Sequence, residues 1–311
     1  DGTVADIIDN ISDNKIGETN TRQNWGNSII IKHDEYIYSQ LSHLKEGSFK
    51  VKKGEAVKKS QILAQVGNSG HSPYPHLHFQ MQLTAQLGAP TMPYPIENYI
   101  IKAGDKNRFG EGIPKENQKV YKPSINEVLQ KAFSFVPGQT LNCINEKGNT
   151  VKWYVDKDPY NFTFLKCKKT GARAYYEQND EHFYFSNFYG SKRSELFTFF
   201  KAAYRVKFVF IENIKYEEDM QINFNFPKYQ LFFHDFIAPF VMLLKSRYTF
   251  VCKKYNDTIA DSQVEAETVQ KNLFLNKILN TKKTQFSIKP TGNIYLSGEQ
   301  GQLKINKFQR I

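Results

Sequence analysis

Five of the chain's seven histidines fall between positions 33 and 78, namely His33, His43, His71, His76 and His78. Two of them, His76 and His78, stand two apart in the run His76-Leu77-His78-Phe79. Alternate side chains of a strand share a face, so this spacing sets two imidazoles side by side and turns Leu77 and Phe79 toward the core. One ring of such a pair can bind a metal while its neighbour hydrogen-bonds a water or a substrate oxygen. A bare H-x-H also occurs among exposed and structural histidines, so its surroundings must decide.

Those surroundings are strand-rich. Ser28-Ile29-Ile30-Ile31-Lys32 is β-branched and bounded by Gly26-Asn27, as a buried strand should be. Tyr36 to Leu44 roughly alternates, and Ser48 to Val51, Ala56-Val57 and Ile62 to Val66 are short runs between Lys-Gly or Lys-Ser turns. No helical period of any length appears before residue 96. The pattern predicts a compact antiparallel assembly of hairpins. The first residue is Asp1, and Gly2-Thr3-Val4 already reads like the inside of a strand, which points to a fragment whose N-terminal edge lies upstream.

Charge divides the chain in two. Residues 1–104 hold ten Lys/Arg against ten Asp/Glu, whereas residues 129–311 hold 27 against 17 and so carry +10 of the net +11. Of the 45 Phe, Tyr and Trp, 35 follow residue 128. Between the halves, Gly104 to Pro123 is polar, with Gly110, Gly112, Pro114 and Pro123, the composition of a linker or surface loop. The reading is a domain at 1–104, a linker at 105–128 and a second domain at 129–311, mainly β throughout with α+β character in the second.

The glycine turn Gly67-Asn68-Ser69-Gly70-His71-Ser72 followed by Pro75-His76-Leu77-His78-Phe79 resembles the signature of the lysostaphin/LytM-type zinc metallopeptidases. Tyr38-Ser39-Gln40-Leu41-Ser42-His43-Leu44 is similar to that family's strand ending in Y-x-H-L, and Val51 to Ala64 looks like its V-x-x-G-x-x-V hairpins. The order and spacing of the three pieces agree over roughly residues 1–100. The resemblance implies a Zn2+ cofactor with His78 as a ligand. It implies His43 and His76 as the histidines that orient or deprotonate the water and stabilise the oxyanion. It further implies hydrolysis of peptide bonds in peptidoglycan, in the periplasm or cell envelope, and offers no role for His33 or His71. Biotinyl and lipoyl carrier domains share the hairpin pattern, but their modified-lysine turn is absent here.

Catalytic zinc takes three protein donors plus water. The family draws the other two from an H-x-x-x-D motif ahead of the segment matched by Asp1-Gly2-Thr3-Val4, and no H-x-x-x-D occurs in these 311 residues. Two readings follow: a metallopeptidase fragment, with any anchor upstream, or an inactive wall-binding or regulatory module of the same fold. Pro73 and Tyr74 replace a small Thr-Gly, and Gln80 stands where an acidic residue is common, departures expected to bear on substrate fit.

The second half carries no family motif. Val151 to Val155, Phe162 to Cys167, Arg173 to Tyr176 and His182 to Phe188 read as successive strands, as do Val206 to Ile211 and Met220 to Phe226. Ser194 to Tyr204 has helical spacing with Ser194 as N-cap, and Ala260 to Leu275 offers a second helix. Aromatics with Lys and Arg fit either an anionic sugar polymer or a β core with a solvated surface. Nucleic-acid binding is disfavoured, because no basic stripe with interleaved aromatics is present. His182 carries no argument, and His234-Asp235 reads as a core histidine rather than a dyad. The most apolar run, Leu231 to Leu244, is 14 residues long and contains His234, Asp235 and Pro239. A span needs about 20 apolar residues, so no segment crosses a bilayer and this run is expected in the core. Cys143, Cys167 and Cys252 have no C-x-x-C spacing, which argues against a zinc ribbon; one disulfide with a free thiol and three buried thiols fit equally.

Overall fold

The computed structural model describes residues 1–103, 106–256, 263–299 and 301–307. The fold is mainly β, as the alternation predicts. The chain divides into two compact units, Asp1–Glu97 with Glu111–Lys115, and Asn98–Gly110 with Glu116–Ile311.

The first unit is built on a six-stranded sheet of β1 (Gly2–Ile8), β2 (Asn27–Asp34), β3 (Ile37–Leu44), β4 (Ala56–Val57), β5 (His78–Gln82) and β6 (Thr91–Met92), in the order β4-β1-β2-β3-β5-β6. Every pairing between neighbours is antiparallel. Its small core gathers Val4, Ile29, Ile31, Leu44, Val51 and Val57. The runs at Ser48–Val51 and Ile62–Val66 are not strands; Val66 makes a single bridge to Leu44. The glycine turn at 66–71 docks where β2 begins. At Gly70 (φ +76°) an added Cβ would lie 2.4 Å from the Gly26 nitrogen, so only glycine permits this approach.

The strands β7 (Ile96–Ala103), β8 (Lys106–Gly112) and β9 (Val120–Tyr121) form a three-stranded sheet in the order β8-β7-β9. The stretch 105–128 thus carries β8 and β9 and the start of a helix, α1 (Glu127–Phe133), capped by Asn126, whose side chain accepts from the Leu129 N–H.

The second unit holds one twelve-stranded sheet made of two antiparallel meanders. The first runs through β10 (Thr140–Asn145), β11 (Thr150–Lys157), β12 (Thr163–Cys167), β13 (Arg173–Gln178), β14 (His182–Tyr189) and β15 (Arg205–Lys207). The second runs through β16 (Lys215–Asp219), β17 (Leu244–Asn256), β18 (Gln263–Phe274), β19 (Lys277–Ile288), β20 (Ile294–Gly298) and β21 (Gly301–Lys307). They join where β10 pairs with β21, placing Leu141 opposite Lys307. The outer strands also meet through side chains: Arg205 Nη1 lies 2.7 Å from Glu218 Oε1, and the Lys207 ammonium lies 3.9 Å from the Tyr216 ring centre.

At the centre lies α2 (Glu195–Ala202), with Ser194 accepting from the Phe197 N–H as its N-cap. Phe199 is fully buried against Phe133, Phe135, Trp153 and Phe185. From the other meander, the Tyr248 hydroxyl donates to the Ala202 carbonyl at 3.0 Å. The aromatics therefore fill a core. Cys143, Cys167 and Cys252 are buried free thiols.

In the second unit three expectations are overturned. The run offered as a helix at Ala260 to Leu275 is strand β18, apart from residues 260–262, which lie outside the described set. Its buried residues alternate one by one with Glu265, Glu267 and Lys271, a period of two. Met220 to Phe226 is not a strand but contains a short 3-10 turn, Ile222–Phe224. The run at Leu231 to Leu244 is not core: its first half belongs to α3 (Lys228–Ile237), of which only His234 is buried.

Candidate active site

The β3–β5 pairing brings the histidines together. Ser42 lies opposite His78 and Gln40 opposite Gln80, so both strands give one face a row of polar side chains. His43 sits at the end of β3 and His76 just before β5. Their ring centres are 4.7 Å apart, and the His78 ring lies 6.0 Å from that of His43. The cluster anticipated from the spacing is therefore real in space. His33 lies apart from it near the end of β2, bonded to the Asp1 carbonyl and the Ser39 hydroxyl.

The alternation around His76 and His78 holds, but its polarity is reversed. Leu77 and Phe79 are 44% and 48% exposed, while Gln80 and Gln82 are buried. Phe79 lies opposite Leu41, which packs against the edge of the small apolar core, yet Phe79 itself stays half exposed, whereas the histidine face is packed with amides.

Each imidazole is fixed through one nitrogen, which determines its tautomer. His43 Nδ1 lies 2.8 Å from the Ser69 carbonyl, and His76 Nδ1 lies 2.9 Å from the Tyr74 carbonyl and 3.1 Å from Ser72 Oγ. A carbonyl only accepts, so both rings carry their proton on Nδ1 and leave Nε2 with its lone pair. His78 is held the other way round. Its Nε2 lies 2.9 Å from Gln80 Oε1, and Gln80 Nε2 donates to Gln82 Oε1 and the Ala89 carbonyl. These two acceptors fix the Gln80 amide, so His78 donates through Nε2–H and leaves Nδ1 as its lone-pair atom. Gln80, expected to bear on substrate fit, is thus an internal support of His78. Trp25 packs edge-on against His78 at 5.0 Å.

His43 adopts φ +62°, a left-handed conformation that costs a non-glycine residue roughly 1–3 kcal/mol. The surroundings hold it there: its N–H donates to the Trp25 carbonyl and its carbonyl accepts from Gly67 N–H. Burial pulls the His43 pKa below the ordinary histidine value. The bond to Ser69 opposes this, and the nearby His76, His78 and His71 reinforce it. The ring is therefore neutral at neutral pH, the state of a proton acceptor.

Among the described residues, no group of three or more His, Cys, Asp or Glu is placed to hold a metal ion. His78, with an anchored Nε2–H and a bare Nδ1, has the form of a single metal ligand supported by an outer hydrogen bond. The sequence shows no sign of Trp25 or the Ser69 carbonyl, and it points to Gln80 only as bearing on substrate fit. The signal for Gln80 was present, because Gln40, Gln80 and Gln82 recur at every second position on paired strands.

Comparison with known proteins agrees with this geometry. Residues 5–90 match the family model of peptidase family M23. A glycyl-glycine endopeptidase of Staphylococcus capitis, ALE-1, is 42% identical over 72 residues, which are 22% of this chain and 19% of that protein. The match spans about a fifth of the relative's length. No solved structure matches the chain significantly. Residues 5–90 are a peptidase family M23 domain of the lysostaphin/LytM type.

Proposed function

We propose that this domain, taken as residues 1–104, hydrolyses peptide bonds in bacterial peptidoglycan at the cell envelope, with residues 129–311 as an accessory domain. The observation that carries the proposal is the convergence of three imidazoles, each anchored through one nitrogen with the other unencumbered. Zinc is the cofactor the family resemblance implies, and when bound it supplies Lewis acidity to the scissile carbonyl and the attacking water. His78 would hold it through Nδ1, and two further protein donors are required.

The proton steps belong to His43 and His76. Either presents a bare Nε2 that accepts the proton of the attacking water. Protonation gives an imidazolium with N–H on both nitrogens, which then donates to the developing oxyanion or the leaving amine.

A second reading is a non-cutting wall-binding module of the same fold. It is favoured by the lack, among the described residues, of a three-donor group. One experiment separates the two: zinc content and turbidity loss of peptidoglycan, compared between the protein at its full length and its His78→Ala variant. The hydrolase reading expects zinc and clearing in the former and neither in the latter. Equal clearing by both rejects His78 as a ligand, and wall binding without zinc or clearing establishes the module.

A further inference from the structure

The second unit carries an apolar crown that nothing among the described residues covers. In α3, Phe232, Phe233 and Phe236 are 71%, 60% and 76% exposed, and Phe240 just beyond is 86% exposed. At roughly 200 Å² per ring these four phenylalanines alone expose on the order of 600 Å². That already reaches the upper end of the largest apolar patch on an ordinary soluble monomer, about 300–600 Å². The tip of the β18–β19 hairpin adds Leu275, Ile278 and Leu279, each about half exposed.

Helix and hairpin form one surface. The Leu244 N–H donates to His234 Nδ1 at 3.2 Å, tying α3 to the start of β17, and the Leu275 N–H donates to the Leu243 carbonyl at 2.8 Å. The tip also stands clear of the sheet. β19 pairs with β20 only over Thr284–Ile288, and β17 meets β16 only from Arg247 onward, so residues 277–283 have a neighbour on one side only.

Below the apolar tip lies positive charge. Segments 228–247 and 271–283 contain seven Lys or Arg and one carboxylate, Asp235. Their field reaches further lysines: Lys228 and Lys282 depress the pKa values of Lys192 and Lys201 respectively, in each case after burial as the larger cause. Of these cations, Arg247 faces Asp219 at 3.7 Å, and Lys245 reaches the Asn276 side chain.

We propose that α3 and the β18–β19 tip dock on an anionic lipid surface, the phenylalanines entering the acyl boundary and the lysines meeting the headgroups. Charge complementarity selects this occupant. Apolar insertion and a basic patch together are the two signals that stable peripheral binding needs, and each Lys near an anionic surface adds about 1 kcal/mol. Among the described residues no helix is long and apolar enough to cross a membrane, and α3, ten residues long, has the length of an interfacial element. The inference is independent of peptide hydrolysis.

Flotation of the 311-residue chain with vesicles tests it, comparing equimolar phosphatidylglycerol and phosphatidylcholine with phosphatidylcholine alone. The chain floats with the anionic vesicles and far less with the zwitterionic ones. Lys277→Gln with Lys282→Gln weakens partitioning by about thirty-fold, and Phe232→Ser with Phe236→Ser abolishes it. Both pairs leave the far-UV spectrum and thermal midpoint unchanged; should the Phe pair misfold, the Lys pair still decides. The proposal is overturned if the chain ignores anionic vesicles or if the folded pairs bind as the parent does. It is equally overturned if sedimentation reveals a dimer that the Phe pair dissolves, since a second copy would then own the crown.

Discussion

Replacing Gln80 with Leu tests the support of His78 directly. The change deletes three hydrogen bonds: the one accepted from His78 Nε2–H and the two donated to Gln82 Oε1 and the Ala89 carbonyl. Gln82 and Ala89 are buried, so two acceptors lose a partner in places water does not reach. Each such orphan costs about 1–3 kcal/mol, and burying the leucine returns about 1.5–3 kcal/mol. The net expected loss is about 2 kcal/mol. Trp25, which packs on His78, reports this region by fluorescence once Trp153 is changed to Phe. In urea, with a slope of about 1.5 kcal/mol/M, the Trp25 transition should move down by about 1 M. The freed ring should also lower any zinc affinity or peptidase activity by about 10–100-fold. Gln80→Glu separates the two effects, because a carboxylate still accepts from His78 but faces the other two oxygens: it should destabilise while retaining more activity than the leucine. A Gln80→Leu midpoint within roughly 0.3 M of the parent would refute the reasoning, since those bonds would then hold nothing.

Two further outcomes are expected. With a chelator present to exclude metal, the stability of the first unit should be full above pH 6.5 and fall as pH drops below it, because the unfolded chain protonates His43 before the folded one does; urea midpoints across pH in the parent and His43→Gln check this, and an equally steep fall in the variant would assign the effect elsewhere. Phe199→Ala removes a ring packed against four other aromatics and should cost the second unit about 3–5 kcal/mol, read as a lowered midpoint by near-UV circular dichroism.

What was legible in the sequence was whatever a local pattern or a spaced motif encodes. Ser28–Lys32 announced β2 through its β-branched run, and Ser194 announced the start of α2 through its cap. The histidine cluster followed from the order of its motifs. Where long-range packing decides, reading failed. Leu77 and Phe79 are apolar at alternate positions, yet the amide-filled face proved the covered one, because its neighbour β3 supplies Gln40 and Ser42. In β18 the period of two is present, but Ala266, Val269 and Leu273 also fit a helical spacing. The apolar run at Leu231 to Leu244 looks internal by composition, and nothing local says that its phenylalanines face outward.

The pairing of β10 with β21 bears on the order in which the chain is made. During synthesis the first meander emerges with β10 as an open edge, and its partner, ending at Lys307, arrives only after β11 through β20. Until then a row of unpaired backbone groups is presented to any other chain nearby, the hazard of every uncovered strand edge. The six-stranded sheet of the first unit, whose last strand ends at Met92, has emerged long before. The nascent protein therefore passes through an interval with the strands of the first sheet all made and the second sheet half open, and slowing or truncating translation ahead of Gly301 should send it to aggregation rather than to a stable shorter form.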